Sequence, residues 1–521
     1  MNTSISTESR AQLARVARGG ALNLVGALVA AIAGFALVVV VARAFSPTTA
    51  GVLFASTSVF LVVVSLAVFG ADTGLIQFIL RFEEGGRSAD IPTVLRSARR
   101  PVLVTSVAIA AAVLLFAGPL SDLLGLDHPR SPAVLRVLGV TVPFAAMAQL
   151  ALSETRALSR MRPTVLIDNL FRATAQTIAA VIVGLLGGGL LMLSVGWALP
   201  YVMSAALAIP TARWYLRRQS RRWAEVGAAD PAEVRREFRH YTWPRGVARV
   251  SQIVVQRADI IIIAAMLGAA PAAIYTAATR FVVVGQMSAQ AISNVLMPRL
   301  AQLLPRRDMV VVSDVFKIST AWSMAVAWPL YAVIASSASL YLEVFGERYV
   351  GNDGVPVVVT MSVAMMITTA AGALDSVLLM SGRSMASLVN GLVAASLNVA
   401  LCLVLIPWIG IVGAAIAWAV AVLVRNLLAF ILVRHDLGLT PLSPAAALVA
   451  VAVIGCYVVP LVALSVLGLL TVSGFAVAVF VGTMVYAAII WRGRATLELR
   501  VFRSVLPKWL ARRLDEDAAA A

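Results

Sequence analysis

A chain of 521 residues that is 60% hydrophobic and 13% charged, with a mean hydropathy of +0.92, is not a soluble globular protein. Continuous apolar runs of 18 or more residues point to an all-α polytopic membrane protein and exclude a β-barrel, whose strands alternate in polarity. The net charge of +17 does not point to nucleic acid, because the basic residues lie in alternate loops and not in one patch.

In chain order, residues 1–20 are polar, with Arg10, Arg15 and Arg18. The apolar run at 21–42 is roughly twice the length of a signal-peptide core, so it reads as a first transmembrane helix. Further spans are predicted at 51–70, 101–118, 133–152, 164–186 and 189–210. A basic stretch, 211–241, separates them from a second set at 242–266, 272–297, 318–339, 355–378, 386–406 and 409–433. Two more, at 444–466 and 470–491, precede a basic tail, 492–521. The sum is 14 spans. The expected organisation is an N-terminal lobe (21–210), a cytoplasmic linker (211–241), a C-terminal lobe (242–435), a helix pair (436–491) and a cytoplasmic tail.

Fourteen crossings put both termini on one side, and the Lys and Arg residues assign that side to the cytoplasm. Of 42, the predicted cytoplasmic segments hold 32 and the opposite side only Arg43, Arg130 and Arg348. A repeat supports two lobes. A shift of 222 residues lays VVVVARAFSPTTAGVLFA (38–55) on IIIIAAMLGAAPAAIYTA (260–277), Asp168 on Asn390, and Gly188 on Gly410. Two copies of six spans would insert the same way up, with a cavity between them.

The chemistry is concentrated in the spans. Arg245, Arg249, Gln252, Gln256 and Asp259 recur at i, i+4, i+7, i+11 and i+14, within roughly 80° of one helix face. Asp168, Arg172 and Gln176 share a face of the fifth span, where an ion pair one turn apart is expected. Gln286, Gln290 and Asn294 line the eighth, which also carries Arg280; Asn390 and Asn398 lie in the eleventh, Arg425 in the twelfth. Arg136, near a span end, is expected to snorkel. A mid-membrane arginine costs about 2.5 kcal/mol or more, so Arg172, Arg249, Arg257, Arg280 and Arg425 each need compensation. Asp72, Asp168, Asp259 and Asp375 are the acids in or beside the spans, and they are fewer than the arginines. The expected cavity is therefore positive, suited to an anionic ligand such as a phosphate. Asp259 is the candidate coupling carboxylate; a structural partner for Arg257 or Arg280 is the competing role.

Several chemistries have no support. The only lysines, Lys317 and Lys508, are in no phosphate-binding loop. His128, His240 and His435 are scattered, so no metal site, cofactor or catalytic constellation is expected. Cys402 and Cys456 read as small core residues and not a disulfide.

Eight segments together carry a family resemblance. They are ARVARGGALNLVGAL and ARAFSPTTAGVLFAST near the N-terminus, SETRALSRMRP (153–163), REFRHYTWPRG (236–246), QRADIIIIAAMLGAAPAAIYTAATRF (256–281), VLMPRL (295–300), VFGERYVGN (344–352) and IPWIGIVGAAIAWAV (406–420). The chain resembles Wzx-type polysaccharide flippases of the multidrug/oligosaccharidyl-lipid/polysaccharide (MOP) exporter superfamily over residues 11–435. The resemblance implies a MATE-like fold of two pseudo-symmetric six-helix lobes plus a helix pair, in the cytoplasmic membrane. It implies no enzyme activity but alternating access, with undecaprenyl pyrophosphate carrying an oligosaccharide as cargo, and glycosyltransferases or a polysaccharide polymerase as partners. Asp259 matches the aspartate common in that family's seventh span, and Arg280 lies in its eighth-span motif. Three alternatives stay open: a lipid II flippase, a multidrug/cation antiporter, and a membrane glycosyltransferase or polymerase.

Overall fold

The computed structural model describes residues 7–220, 230–287, 290, 292, 309–351 and 353–498, with residues 7–24 as backbone only. Every regular element among them is helical. The first part of the chain forms α1 (Thr7–Ala44), α2 (Pro47–Val68), α3 (Ala71–Glu84), α4 (Ile91–Leu115), α5 (Ala117–Leu123) and α6 (Ser131–Ala157). It continues with α7 (Thr164–Leu185), α8 (Leu190–Ser220), α9 (Pro231–Leu267) and α10 (Ala269–Ala278). After a further helical stretch at 281–287 come α11 (Met309–Ser336), α12 (Ala338–Glu343), α13 (Gly354–Ala370) and α14 (Leu374–Met380). The last three are α15 (Ser384–Leu437), α16 (Pro444–Val466) and α17 (Val472–Arg492).

Among the described residues, 11 helices are long and apolar enough to cross a membrane, or 12 if the bent pair α13 and α14 is one span. The chain is thus a multi-pass membrane protein. Fourteen crossings are compatible with this. At 54 residues α15 is about 80 Å long, over twice the apolar thickness of a bilayer. Non-helical φ/ψ at Ile409 and Gly410, just after Pro407, break it where the eleventh and twelfth spans are expected to meet. The C-terminal end of the expected eighth span, with Asn294, and the VLMPRL segment lie outside the described residues, as do 221–229 of the basic stretch and the tail from 499. The rest of that stretch is not a loop. Its two ends extend α8 to Ser220 and open α9 at Pro231.

Local signals explain the helix ends. The Ser46 hydroxyl accepts from Thr49 N at 3.2 Å with Pro47 at the first helical position. Asp230, followed by Pro231, accepts from Ala232 N at 2.9 Å. Ser443 and Thr471 cap α16 and α17 in the same way. Between α2 and α3 the backbone turns left-handed at Phe69 (φ 38°) and Gly70 (φ 76°), which breaks the second span in two.

The chain divides into two compact units. The first comprises Met1–Arg280, Phe345–Gly354 and Ala395–Trp418. In it α2 packs along α9 and α10, α6 against α4 and α8, and α1 against α7. The second comprises Phe281–Val344, Val355–Ala394 and Ala419–Ala521. There α11 packs on α16, Ala321 and Met324 meeting Ala445 and Val449, and its Val312 and Phe316 meet Leu374 and Val377 of α14 and Ala429 and Val433 of α15. Indole and phenol groups in this unit donate to main-chain carbonyls, Trp322 to Leu497 and Tyr486 to Ala325, both at 2.8 Å. Buried in apolar surroundings, these donors need such partners.

Candidate functional site

The charged groups of the first unit form a seam along α7, α8 and α9. Arg172 is its centre. Its Nε donates to Asp168 Oδ1 at 2.5 Å, one turn before it, and its Nη1 donates to Gln176 Oε1 at 3.1 Å, one turn after. This is the constellation that the fourfold spacing predicts. The structure adds a neighbour from α8. The Tyr201 ring lies 4.8 Å beneath the guanidinium carbon, and its hydroxyl is 3.4 Å from Nη1. Gln176 Nε2 donates to the Trp197 carbonyl at 3.0 Å, and Phe60 of α2 holds Trp197 and Tyr201 edge-on, at 5.4 and 5.1 Å between ring centres. The arginine is thus fixed by a carboxylate, an amide and an aromatic face together. The backbone that carries Asp168 and Arg172 is a π-helix, Thr164–Arg172, a conformation found most often where function constrains a helix.

On α9 the predicted polar stripe divides into three. Arg245 folds back on its own helix, its guanidinium carbon 3.6 Å from the Tyr241 ring centre. Arg249, Gln252 and Gln256 are exposed, and Arg249 Nη1 donates to Gln252 Oε1 at 3.2 Å. Among the described residues Arg249 forms no ion pair. Asp259 is buried, only 4% exposed. Its Oδ2 accepts from Tyr275 Oη of α10 at 2.7 Å, and its Oδ1 from Ile260 N at 2.8 Å. Arg257 lies within electrostatic reach of both Asp259 and Tyr201, which links the Asp259 end of the seam to the Arg172 end. At the far end of α6, Arg156 is within electrostatic reach of Asp72, Asp168 and Arg249, and Asp72 accepts from Gln149 Nε2 at 3.1 Å. The seam so defined holds four arginines, Arg156, Arg172, Arg249 and Arg257, and three aspartates, Asp72, Asp168 and Asp259.

The other predicted site residues fall elsewhere. Arg280 Nε donates to the Gly34 carbonyl of α1 at 3.3 Å. Gln286, Gln290 and Asn390 belong to the second unit; the two glutamines are exposed, and Asn390 is buried with no partner for its Nδ2 among the described residues. Arg425, also in the second unit, is ion-paired with Asp375. Both cysteines are free and buried. Cys402 Sγ is 3.7 Å from Asn398 Oδ1 and within electrostatic reach of Asp259. No group of three or more His, Cys, Asp or Glu able to hold a metal occurs among the described residues.

Sequence reasoning missed Tyr201 and Tyr275, which reach the site from neighbouring helices. It also missed Arg156 and Glu154, read as loop residues because hydropathy falls there. The structure continues α6 through both. Glu154 is 1% exposed and takes a two-pronged contact from Arg99 of α4, Nε to Oε1 at 2.7 Å and Nη2 to Oε2 at 2.6 Å.

The model of a family described as "Polysaccharide biosynthesis protein" matches residues 16–304. No curated protein sequence matches the chain. Among solved structures, the lipid II flippase MurJ in an inward closed conformation is similar, with a TM-score of 0.68 at 11% identity, covering 93% of this chain and 99% of that one. An inward-facing multidrug resistance MATE transporter of the MOP superfamily gives 0.64 at 15% identity, covering 78% and 94%. A MOP superfamily transporter from Pyrococcus furiosus, described as having a binding pocket of reverse polarity, gives 0.55 at 14% identity, covering 81% and 95%. The fold is therefore that of MOP superfamily transporters and flippases, which are not catalysts.

Proposed function

Since the chain belongs to the polysaccharide biosynthesis protein family, we propose that it is a flippase for a lipid-linked saccharide. Its cargo is a polyprenyl-pyrophosphate-linked oligosaccharide, moved from the cytoplasmic to the outer leaflet for cell-surface polysaccharide assembly. The observation that carries this reading is Arg249, a membrane-helix guanidinium whose partner is a glutamine and not a carboxylate. Together with Arg257 and Arg172 it makes the seam net positive, and guanidinium forks match phosphate oxygens in shape and charge. Gln252 and Gln256 would bond the sugar hydroxyls. Arg245, Arg280, Gln286, Gln290, Asn390 and Arg425 complete the proposed binding set, with Asp259 as the coupling carboxylate.

The mode of transport is alternating access, with lobes 21–210 and 242–435 rocking about the cavity and both termini in the cytoplasm. The helix pair α16 and α17 sits beside the lipid tail. The test is leaflet exchange of fluorescent undecaprenyl-pyrophosphate oligosaccharide in proteoliposomes, followed by quenching with and without a pH gradient. Protein-dependent exchange, lost in Arg249→Ala and Arg172→Ala at unchanged protein level, is the expected result. Uptake of a cationic dye with no exchange of any glycan lipid would replace the flippase by a cation antiporter.

A further inference from the structure

The wall of the first unit between α6 and α8 carries a notch that the transport reading does not use. It is an open groove of about 370 Å³. Its sides are Val137 and Val140 of α6 and Val195, Leu199 and Val202 of α8, and half of the Leu199 surface faces outward. The one charge in it is Arg136, which is exposed and forms no ion pair among the described residues. Arg136 lies five residues inside the start of α6, about 8 Å along the helix from it. A second guanidinium, that of Arg130, lies at the same end, against Gly189 at the head of α8. It too is exposed and without an ion pair among the described residues, although Asp122 at the end of α5 and Asp127 in the loop after it lie close in sequence.

In a bilayer this notch neither stays empty nor fills with water. Its apolar walls offer water too few partners, and a void forfeits dispersion contacts along both helices. The material available to fill it is a hydrocarbon chain. The arginine at its head has no carboxylate, and a guanidinium below the interface is stabilised by drawing an anion down to it. Chain and anion are joined in one molecule, a phospholipid. Two unmatched positive charges favour one with net negative charge.

We propose that the groove between α6 and α8 is a fixed site for one anionic phospholipid of the surrounding leaflet, with its phosphate on Arg136 and Arg130 and one acyl chain between the two helices. The site is separate from the charged seam and does not depend on the cargo.

Native mass spectrometry of the full-length protein, delipidated in detergent and titrated with phosphatidylglycerol or phosphatidylcholine, tests the proposal. Wild type should bind one phosphatidylglycerol that Arg136→Leu binds roughly tenfold more weakly, the loss expected for a hydrogen bond to a charged group. Val140→Trp, which fills the groove but keeps the charge, should lose the same molecule, and phosphatidylcholine should show no such step. Should Arg136→Leu fail to purify as a single species, Val140→Trp and Arg136→Gln carry the test. Equal binding of phosphatidylglycerol by wild type and variants would overturn the proposal. So would equal binding of the two phospholipids, or tighter binding of undecaprenyl phosphate than of phosphatidylglycerol at this step, which would make the groove a cargo-lipid site.

Discussion

The Tyr275 hydroxyl donates to Asp259 Oδ2 at 2.7 Å, and neither side chain reaches the surface. Tyr275 comes from α10 and Asp259 from α9, so the bond ties the two helices across the turn at Gly268. Leaving a buried carboxylate short of a donor costs about 1.5–3 kcal/mol. Tyr275→Phe should therefore lower the thermal midpoint of the purified protein. Asp259→Asn in the Tyr275→Phe background should recover part of the loss, because a neutral amide tolerates burial better than a carboxylate. A double-mutant cycle read by thermal unfolding gives the coupling; purely additive losses would mean that the pair does not hold the turn.

The Arg99–Glu154 pair, between α4 and α6, makes a second expectation. The Glu154 side chain is 2% exposed and that of Arg99 34% exposed. Removing the arginine strands the buried carboxylate, and breaking such a pair costs about 3–5 kcal/mol, less here because one partner is partly solvated. Arg99→Leu should destabilise more than the double replacement Arg99→Leu with Glu154→Leu, which leaves no charge behind. Detergent-solubilised thermal melts decide it. A double variant as unstable as the single one would assign the loss to packing.

Gly51 offers a steric test. A Cβ there would run into the main-chain carbonyl of Ala269, where α2 meets the head of α10. Gly51→Ala should cost about 1–3 kcal/mol as overpacking. Gly391→Ala in α15, where a Cβ meets nothing within 4 Å, should be neutral or stabilising. The comparison is fluorescence-detected size-exclusion after heating. Equal stability of the two variants would mean that α2 and α10 separate freely at this point.

What the sequence made legible was local. The Asp168–Arg172–Gln176 network follows from side chains four residues apart on one helix, and the structure has those bonds. The apolar runs locate most membrane helices for the same reason, since a run long enough to span must be helical. What escaped were bonds between helices. Tyr201 reaches Arg172 across 29 residues of sequence, Tyr275 reaches Asp259 across 16, and Arg99 reaches Glu154 across 55. Nothing in a helical period encodes such partners. Hydropathy marks where a chain leaves the apolar layer, which is not where its helix ends. It treats an arginine or glutamate as a reason to leave the membrane, whereas α6 carries Glu154 and α8 carries Arg217 and Arg218 within continuous helix. The stripe on α9 is uneven for a related reason. Five residues sharing an arc need not share a neighbour, and Asp259 meets α10 where Arg249 is exposed.

The left-handed joint at Phe69 and Gly70 has a consequence for how this lineage can change. A Cβ on Gly70 would press on Gly246 N of α9, and one on Gly246 would press on the Phe69 carbonyl. The atoms in the way are main chain and the Phe69 ring, so a side chain at either position needs α9 to retreat from the joint. Neither substitution can therefore rescue the other, and one joint imposes two separate demands for a bare α-carbon.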